Sequence, residues 1–192
     1  MRRATLALGA AVLVATASAI VTAKARTQSD PAADFTRLHT WSWNPSGPGD
    51  VKVWVSSQSD PAPVKKVYEP LIMREVEQRL AQKKFTRSDS APDFLVTYYL
   101  LVTVGAASQT MGQFLPSTVN WGLPPFAPQT TALSISPQGA VVLDVATMPG
   151  NRIVWRGISE KEVSYDTTDA QRQDIARKAI KEIVDQFPPK KK

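Results

Sequence analysis

The sequence of 192 residues contains no cysteine and a single histidine, His39. The lack of cysteine excludes disulfides, thiolate metal sites, iron–sulfur clusters, a cysteine nucleophile and attachment of a lipid through cysteine. A zinc site needs several nitrogen or sulfur ligands, so one histidine gives no basis for a metal centre. A Ser-His-Asp triad would have to use His39, which lies in a predicted strand and is interpreted as a packed or surface residue. We therefore expect no metal and no catalytic triad.

Phosphate-binding motifs are also missing. Neither Gly-x-x-x-x-Gly-Lys nor Gly-x-Gly-x-x-Gly occurs, so no nucleotide cofactor is expected. The formal net charge is +6, but Arg2, Arg3, Lys24 and 190–192 hold six of the 23 basic residues, which leaves 17 against 17 acidic ones. A nucleic-acid surface needs clustered positive charge on the folded domain. We therefore expect no nucleic-acid partner.

The first 25 residues have the pattern of a secretory signal peptide. Arg2 and Arg3 precede an uncharged stretch that runs from Ala4 to Ala23. Two sites fit the small-x-small rule for cleavage, Ala17-Ser18-Ala19 and Ala23-Lys24-Ala25. The second site is followed by a polar sequence, so cleavage after Ala25 is favoured and cleavage after Ala19 stays open. The alternative is an uncleaved membrane anchor, since about 20 residues suffice to span a bilayer.

Hydrophobic periodicity predicts a single α+β domain over residues 26–192, after a polar lead-in at 26–33. Strands are predicted at 38–43, 51–55, 94–104, 139–145 and 152–163, with a further strand within 131–136. Helices are predicted at 68–83 and 169–187, with Pro70 in the first turn of the former and a capping box at Thr168 and Gln171 in the latter. The order favours a largely antiparallel β-sheet with two α-helices packed on one face. The tryptophans Trp41, Trp43, Trp54 and Trp155 are assigned to the core or the sheet faces.

A long loop at 105–138 is the least ordinary segment of the sequence. It is rich in glycine and proline and contains no Lys, Arg, Asp or Glu. Loops of this length inside a compact domain are functional or mobile. Phe114, Trp121 and Phe126 lie in it and are the candidate partner-binding residues. The alternative interpretation is that these rings fold back and cap the core.

Paired carboxylates are the remaining source of catalysis. The candidate pairs are Asp89 with Asp93, Glu160 with Glu162, and Asp166 with Asp169. A glycosidase-type acid and base would use one such pair, with one pKa raised. Each pair is explained more simply as a solvated surface or a helix cap, so no catalytic residue is assigned.

Several short segments resemble the bacterial domain-of-unknown-function 4136 family, whose members are envelope proteins and often lipoproteins. The segments are Asp34-Phe35, Thr40-Trp41-Ser42-Trp43, Pro92-Asp93-Phe94-Leu95-Val96, Gly139–Asp144, Ile153–Gly157 and Ile183–Pro189. The resemblance covers residues 34–189 and implies a fold and a compartment but no activity. This chain departs from the lipoprotein members of that family because it has no cysteine to carry lipid.

The leading hypothesis is an exported, periplasmic protein that is not an enzyme and binds an envelope protein or polymer through the loop at 105–138. One alternative is a carboxylate-dependent hydrolase of an envelope polymer. Another is a scaffold anchored in the inner membrane that retains residues 1–25. Contact with the membrane is expected only in this last case.

Overall fold

The computed structural model describes residues 25–54, 60–103, 109–110, 132–133, 138–163 and 166–190. The strands are β1 (Arg26–Ser29), β2 (Thr40–Trp43), β3 (Gly49–Trp54), β4 (Thr86–Arg87), β5 (Phe94–Thr103), β6 (Gln109–Thr110), β7 (Ala132–Leu133), β8 (Gln138–Thr147) and β9 (Arg152–Glu162). The helices are α1 (Ala62–Gln82) and α2 (Asp169–Val184), and a 3-10 turn spans Phe35–Arg37. Within these residues the architecture is α+β, as predicted.

One sheet of seven strands organises the described domain. Its order is β1-β9-β8-β5-β2-β4, and β3 pairs with the same edge of β5 as β2 does. β5 therefore has neighbours on both edges: β8 on one side, and β2 followed by β3 on the other. The strand predicted at 94–104 has apolar residues on both faces, which predicts a central position, and this is confirmed. β6 and β7 form a separate pair of two strands.

The sheet is mixed, and most of its paired residues are antiparallel, which agrees with the prediction of a largely antiparallel sheet. β1–β9, β8–β9 and β5–β8 are antiparallel, whereas β2 and β3 run parallel to β5 and β4 runs parallel to β2. Parallel neighbours need a crossover connection, usually a helix. α1 is that crossover, because it connects β3 to the β4–β5 segment. The sequence analysis did not predict this crossover, because hydrophobic periodicity shows where a strand lies but not in which direction it runs.

Alternate residues of β5 separate two apolar clusters. Phe94, Val96, Tyr98 and Leu100 share one cluster with the buried residues of both helices. Leu101 belongs to the second cluster, which also contains Ala140, Val142 and Ile158 and no helix residue. Side chains of successive strand residues point to opposite faces of a sheet. Both helices thus contribute to the first cluster, where the larger part of the core lies.

Aromatic rings join the ends of the elements inside the first cluster. Phe187, three residues after α2 ends, lies 5.1 Å from Trp155, 5.4 Å from Phe94 and 5.5 Å from Phe85 between ring centroids. Edge-on and tilted arrangements of this kind are favourable for aromatic pairs. On β2, the rings of Trp41 and Trp43 meet edge to face at 5.5 Å. The predicted burial of Trp41, Trp43 and Trp155 is confirmed, whereas the side chain of Trp54 lies outside the described set.

The start of α1 differs from the prediction. The helix begins at Ala62, six residues before the predicted start at Tyr68, and Pro70 lies inside it. Pro61 caps the helix and Pro63 occupies its first turn, where the missing N–H is not needed. The preference of proline for the first turn of a helix led to the assignment of Pro70 to that position. This preference does not distinguish Pro63 from Pro70, which lie seven residues apart. The helical spacing of Ile72, Met73, Val76 and Leu80 predicts a buried stripe. Ile72, Val76 and Leu80 are buried, whereas Met73 is half-buried.

The predicted start of α2 is correct. Thr168 accepts a hydrogen bond from the Gln171 backbone N–H, and the Gln171 side chain accepts one from the Thr168 N–H. This reciprocal capping box satisfies two backbone donors that the helix leaves free. The predicted apolar stripe is buried along its whole length: Ala176, Ala179, Ile180, Ile183, Val184 and Phe187.

The predicted polar lead-in at 26–33 is in part a strand. β1 pairs with β9 from Arg26↔Ile158 to Ser29↔Trp155, at the edge of the sheet. The polar composition did not predict this strand, because backbone hydrogen bonds hold an edge strand in place even when its side chains are polar. Residues 1–24, which hold nearly all of the predicted signal segment, lie outside the described residues. In the part of the chain that the structure describes, no helix is long and apolar enough to span a bilayer.

A buried ion pair links β8 and β9. The Arg156 guanidinium donates to both Asp144 oxygens, at 2.5 Å from Nε and 2.6 Å from the second nitrogen, and the two side chains are 1% and 2% exposed. Burial raises the pKa of the Asp144 carboxyl, while the hydrogen bonds and the charge of Arg156 oppose that shift. A bidentate geometry compensates for taking both charges out of water.

Replacing Asp144 with Ala should lower the free energy of unfolding by about 3–5 kcal/mol, because Arg156 is left buried without its partner. Urea denaturation measures this. The double variant Asp144→Leu/Arg156→Met removes both charges and should be more stable than the single variant. Asp174→Ala is the matched control, since it breaks an exposed pair with Arg177 and should cost only about 0–1 kcal/mol. Equal losses for Asp144→Ala and Asp174→Ala would contradict the account.

Gly157 lies where α2 packs against β9. A Cβ at this position would overlap Ile183 and the Trp155 ring. We therefore expect Gly157→Ala to destabilise the domain by about 1–3 kcal/mol through overpacking. Gly139→Ala is the control, because its Cβ would meet only Val163 at an ordinary 3.8 Å. Thermal unfolding measures the stability of both variants. If Gly157→Ala is as stable as the wild type, α2 can shift to accept the added methyl group, and the prediction is wrong.

Candidate functional site

The predicted partner-binding residues belong to the loop at 105–138. Phe114, Trp121 and Phe126 lie outside the described residues. Of the loop at 105–138, the structure describes β6, β7 and Gln138; Gln109 pairs with Leu133 and Thr110 with Ala132. The strand predicted within 131–136 thus corresponds to β7.

The two ends of this loop are fixed on the central strands. The loop leaves β5 after Thr103 and returns at the start of β8, and Thr103 and Gln138 are partners in the β5–β8 ladder. Next to them the core is tightly packed, because Leu101 and Ala140 are also partners and both are buried. The loop therefore starts and finishes at one end of the paired strands β5 and β8.

The first carboxylate pair is used for structure. One oxygen of Asp93 accepts hydrogen bonds from the backbone N–H groups of His39 and Thr40, both at 2.8 Å. Hydrogen bonds from Thr40 and His39 hold the pKa of the Asp93 carboxyl below its ordinary value. This carboxylate fixes the entry to β2 beside the start of β5. His39 itself is exposed, as its surface interpretation predicted.

Asp89, the other member of that pair, belongs to a polar network at the end of the sheet near α1. It accepts a hydrogen bond from the Ser42 hydroxyl at 2.5 Å and pairs with Arg87, which also contacts Glu77 at 2.7 Å. The same Glu77 oxygen accepts the indole N–H of Trp43 at 3.1 Å. The hydrogen bonds from Ser42 and Arg87 lower the pKa of Asp89. An acid catalyst needs a raised pKa, so neither member of this pair has the property that the hydrolase hypothesis requires.

Among the side chains that the structure describes, the other carboxylate pairs form no shared site either. Glu160 pairs with Arg26 at 2.7 Å, and the side chain of Glu162 lies outside the described set. Asp169 is largely exposed and lies 3.6 Å from Arg172. Asp166 borders an open groove of about 390 Å³ along the start of α2. The groove is lined by Asp166, Thr167, Gln171, Asp174, Ile175 and Lys178.

This groove brings two carboxylates to one surface, but the chemistry around them is that of a solvated helix face. Asp174 accepts a hydrogen bond from Arg177 at 2.8 Å, one turn along the helix. Lys178 adds a positive charge to the same lining. Among the residues that the structure describes, no three His, Cys, Asp or Glu side chains are grouped so that they could hold a metal ion.

Sequence reasoning missed a part-buried polar contact on the α1 side of β5. The Tyr98 hydroxyl donates to Glu69 Oε2 at 2.5 Å, and Lys65 lies 3.5 Å from the same carboxylate. Burial, together with the bond to Glu69, raises the pKa of Tyr98, so this phenol stays protonated and acts as a donor. The signal was present, because Glu69 stands three residues before Ile72 and thus on the buried side of α1. The contact ties the crossover helix to the central strand.

The described domain is thus a mixed sheet with two helices that share one core, and its polar contacts hold elements together. A family model described as a domain of unknown function, DUF4136, matches residues 25–189. The chain belongs to this family. The resemblance inferred from the sequence is therefore confirmed, and the match covers nearly the whole described domain.

The chain is similar to solved structures at low sequence identity. A PDZ domain protein from Parabacteroides distasonis is similar with a TM-score of 0.55 and 13% identity over 88% of this chain, which spans only 36% of that protein's length. A DUF4136 family protein from Bacteroides thetaiotaomicron has a TM-score of 0.46 and 15% identity over 85% of this chain and 95% of its own. No curated protein matches the chain at a significant level. The similarity to the Parabacteroides distasonis protein extends to the fold alone and assigns no activity.

The Asp93 contacts predict how stability depends on pH. Because the folded-state pKa lies below the unfolded value of about 3.9, the contribution of Asp93 is complete above that value and is lost as the pH falls through the folded-state pKa. Asp93→Asn should therefore destabilise the domain at neutral pH, and its difference from the wild type should shrink in acid. Chemical denaturation across this range measures the difference. Asp174→Asn is the control, and a difference for Asp93→Asn that does not change with pH would contradict the assignment.

Proposed function

We propose that this protein is an exported, non-catalytic binding or accessory protein of the bacterial envelope, and that the loop at 105–138 is its contact surface. The observation that carries the proposal is the anchoring of this loop. Its two ends meet at paired residues of β5 and β8, beside the buried pair Leu101 and Ala140. Binding residues are commonly displayed on loops that a rigid scaffold holds in place.

The composition of the loop supports a contact role. It offers three large aromatic rings, Phe114, Trp121 and Phe126, with no charged residue among them. Aromatic side chains are enriched at the centre of interfaces, where charged residues are depleted. An envelope protein or polymer with an apolar or sugar-ring surface fits such a loop.

The contacts of the described carboxylates support a role without acid–base catalysis. Asp89 and Asp93 are bound to neighbouring hydrogen-bond donors that lower their pKa values. Asp144 is fully enclosed and bound to Arg156. A glycosidase needs one carboxylic acid that is protonated at working pH and open to substrate.

Export is supported by the N-terminal segment and agrees with the compartment that the family resemblance implies. The first residues combine a positive start with a long uncharged stretch and two small-x-small sites. A protein that retains residues 1–25 would be held at the inner membrane instead of being released into the periplasm. In both the cleaved and the uncleaved protein, the domain lies on the outer side of the inner membrane.

Photo-cross-linking in cells tests the loop. A benzophenone amino acid at position 121 or 126 should give a discrete adduct in the envelope fraction. The same probe at Val67, an exposed apolar residue of α1, should not give that adduct. Adding Phe114→Ala to the position-121 probe should weaken the adduct by removing a neighbouring contact.

Two results would count against this proposal. Equal adducts from positions 121 and 67 would mean that the loop has no special role. An adduct that survives replacement of both remaining aromatic residues of the loop would mean that these rings do not form the contact. Circular dichroism of each variant shows that the domain is folded.

A further inference from the structure

Ala25 is part of the folded domain. Its side chain is only 5% exposed and belongs to the main apolar cluster. Its carbonyl accepts a hydrogen bond from the Gln186 side-chain nitrogen at 2.7 Å, and the same nitrogen lies 3.2 Å from the Glu182 carbonyl. Ala25 therefore connects the beginning of the domain to the end of α2.

Ordered pairing begins at the very next residue. Arg26 pairs with Ile158 as the first residue of β1, and its guanidinium contacts Glu160 at 2.7 Å. A chain that started at Arg26 would lose the Ala25 carbonyl that Gln186 contacts. It would also carry a charged amino group, in place of a neutral amide, at the first paired residue of the strand. The family match likewise begins at residue 25.

The two candidate cleavage sites also differ in the length of the apolar stretch before them. Cleavage after Ala19 leaves 13 uncharged residues, Ala4–Thr16, ahead of the small-x-small motif. Cleavage after Ala25 leaves 19, Ala4–Thr22. Apolar regions of signal peptides span about 7–15 residues. The first site fits this range, and the second exceeds it.

We propose that the exported protein is cleaved after Ala19, so that the mature chain begins at Ile20 and keeps Ala25 within the domain. This inference rests on the proposed export. It moves the processing site six residues upstream of the one that the polar sequence after Ala25 favoured. The residues that follow, Ile20–Lys24, would then lead into the first packed residue of the fold.

Intact mass of the protein purified from cells tests the site. The full chain is expressed with a C-terminal tag, and its N-terminus is identified in the periplasmic, membrane and cytosolic fractions. The expected product is periplasmic and begins at Ile20. Two variants that leave the described residues unchanged separate the sites. Ala19→Tyr removes a small residue from the first motif and should greatly reduce processing, whereas Ala23→Tyr removes one from the second motif and should leave processing unaltered.

Each outcome separates the processing site from export itself. A mature chain that begins at Arg26, together with loss of processing in Ala23→Tyr, overturns the inference and leaves export standing. A full-length product in the membrane fraction also overturns the inference, while the domain remains exported. A full-length product dissolved in the cytosol overturns export and with it the proposed function.

Discussion

The strand β5 is the constraint on which the rest of the domain depends. It is paired along both edges, with β8 on one side and β2 and β3 on the other, and it is covered on both faces. Pairing along both edges fixes the direction and register of the neighbouring strands. The crossover helix follows from this, because β3 and β5 run parallel and only a long connection can join them. The contact between Tyr98 and Glu69 then holds that helix on the strand.

Much of this arrangement could be predicted from local sequence signals. Three local signals in the sequence agree with the structure. They are the apolar residues on both faces of β5, the turn residues Pro149 and Gly150 between β8 and β9, and the capping box of α2. The predictions that failed concern contacts between residues that are far apart in the sequence. β1 has too few apolar residues to be predicted as a strand, and its partner β9 lies more than a hundred residues further along the chain.

The ion pair between Asp144 and Arg156 illustrates the same limit at the level of single residues. A regular hairpin closed by Thr147↔Arg152 would place Asp144 opposite Trp155. A bulge between Val145 and Ala146 shifts the register by one, so Arg156 becomes the partner. A one-residue shift also exchanges the faces of a strand. Hydrophobic periodicity identified both strands but gave no sign of the bulge. The candidate loop at 105–138 could not be predicted in the same way, because its glycine- and proline-rich sequence carries no periodic signal.

The contact between Ala25 and the end of α2 has a consequence for when the domain can close. β1 must find β9, and Gln186 must reach Ala25, before the edge of the sheet is complete. Phe187 must also arrive before the aromatic cluster around Trp155 and Phe94 is filled. These contacts can form only after α2 and Phe187 have been synthesised, so the edge strand β1 and the aromatic cluster are completed by the last part of the chain to be made.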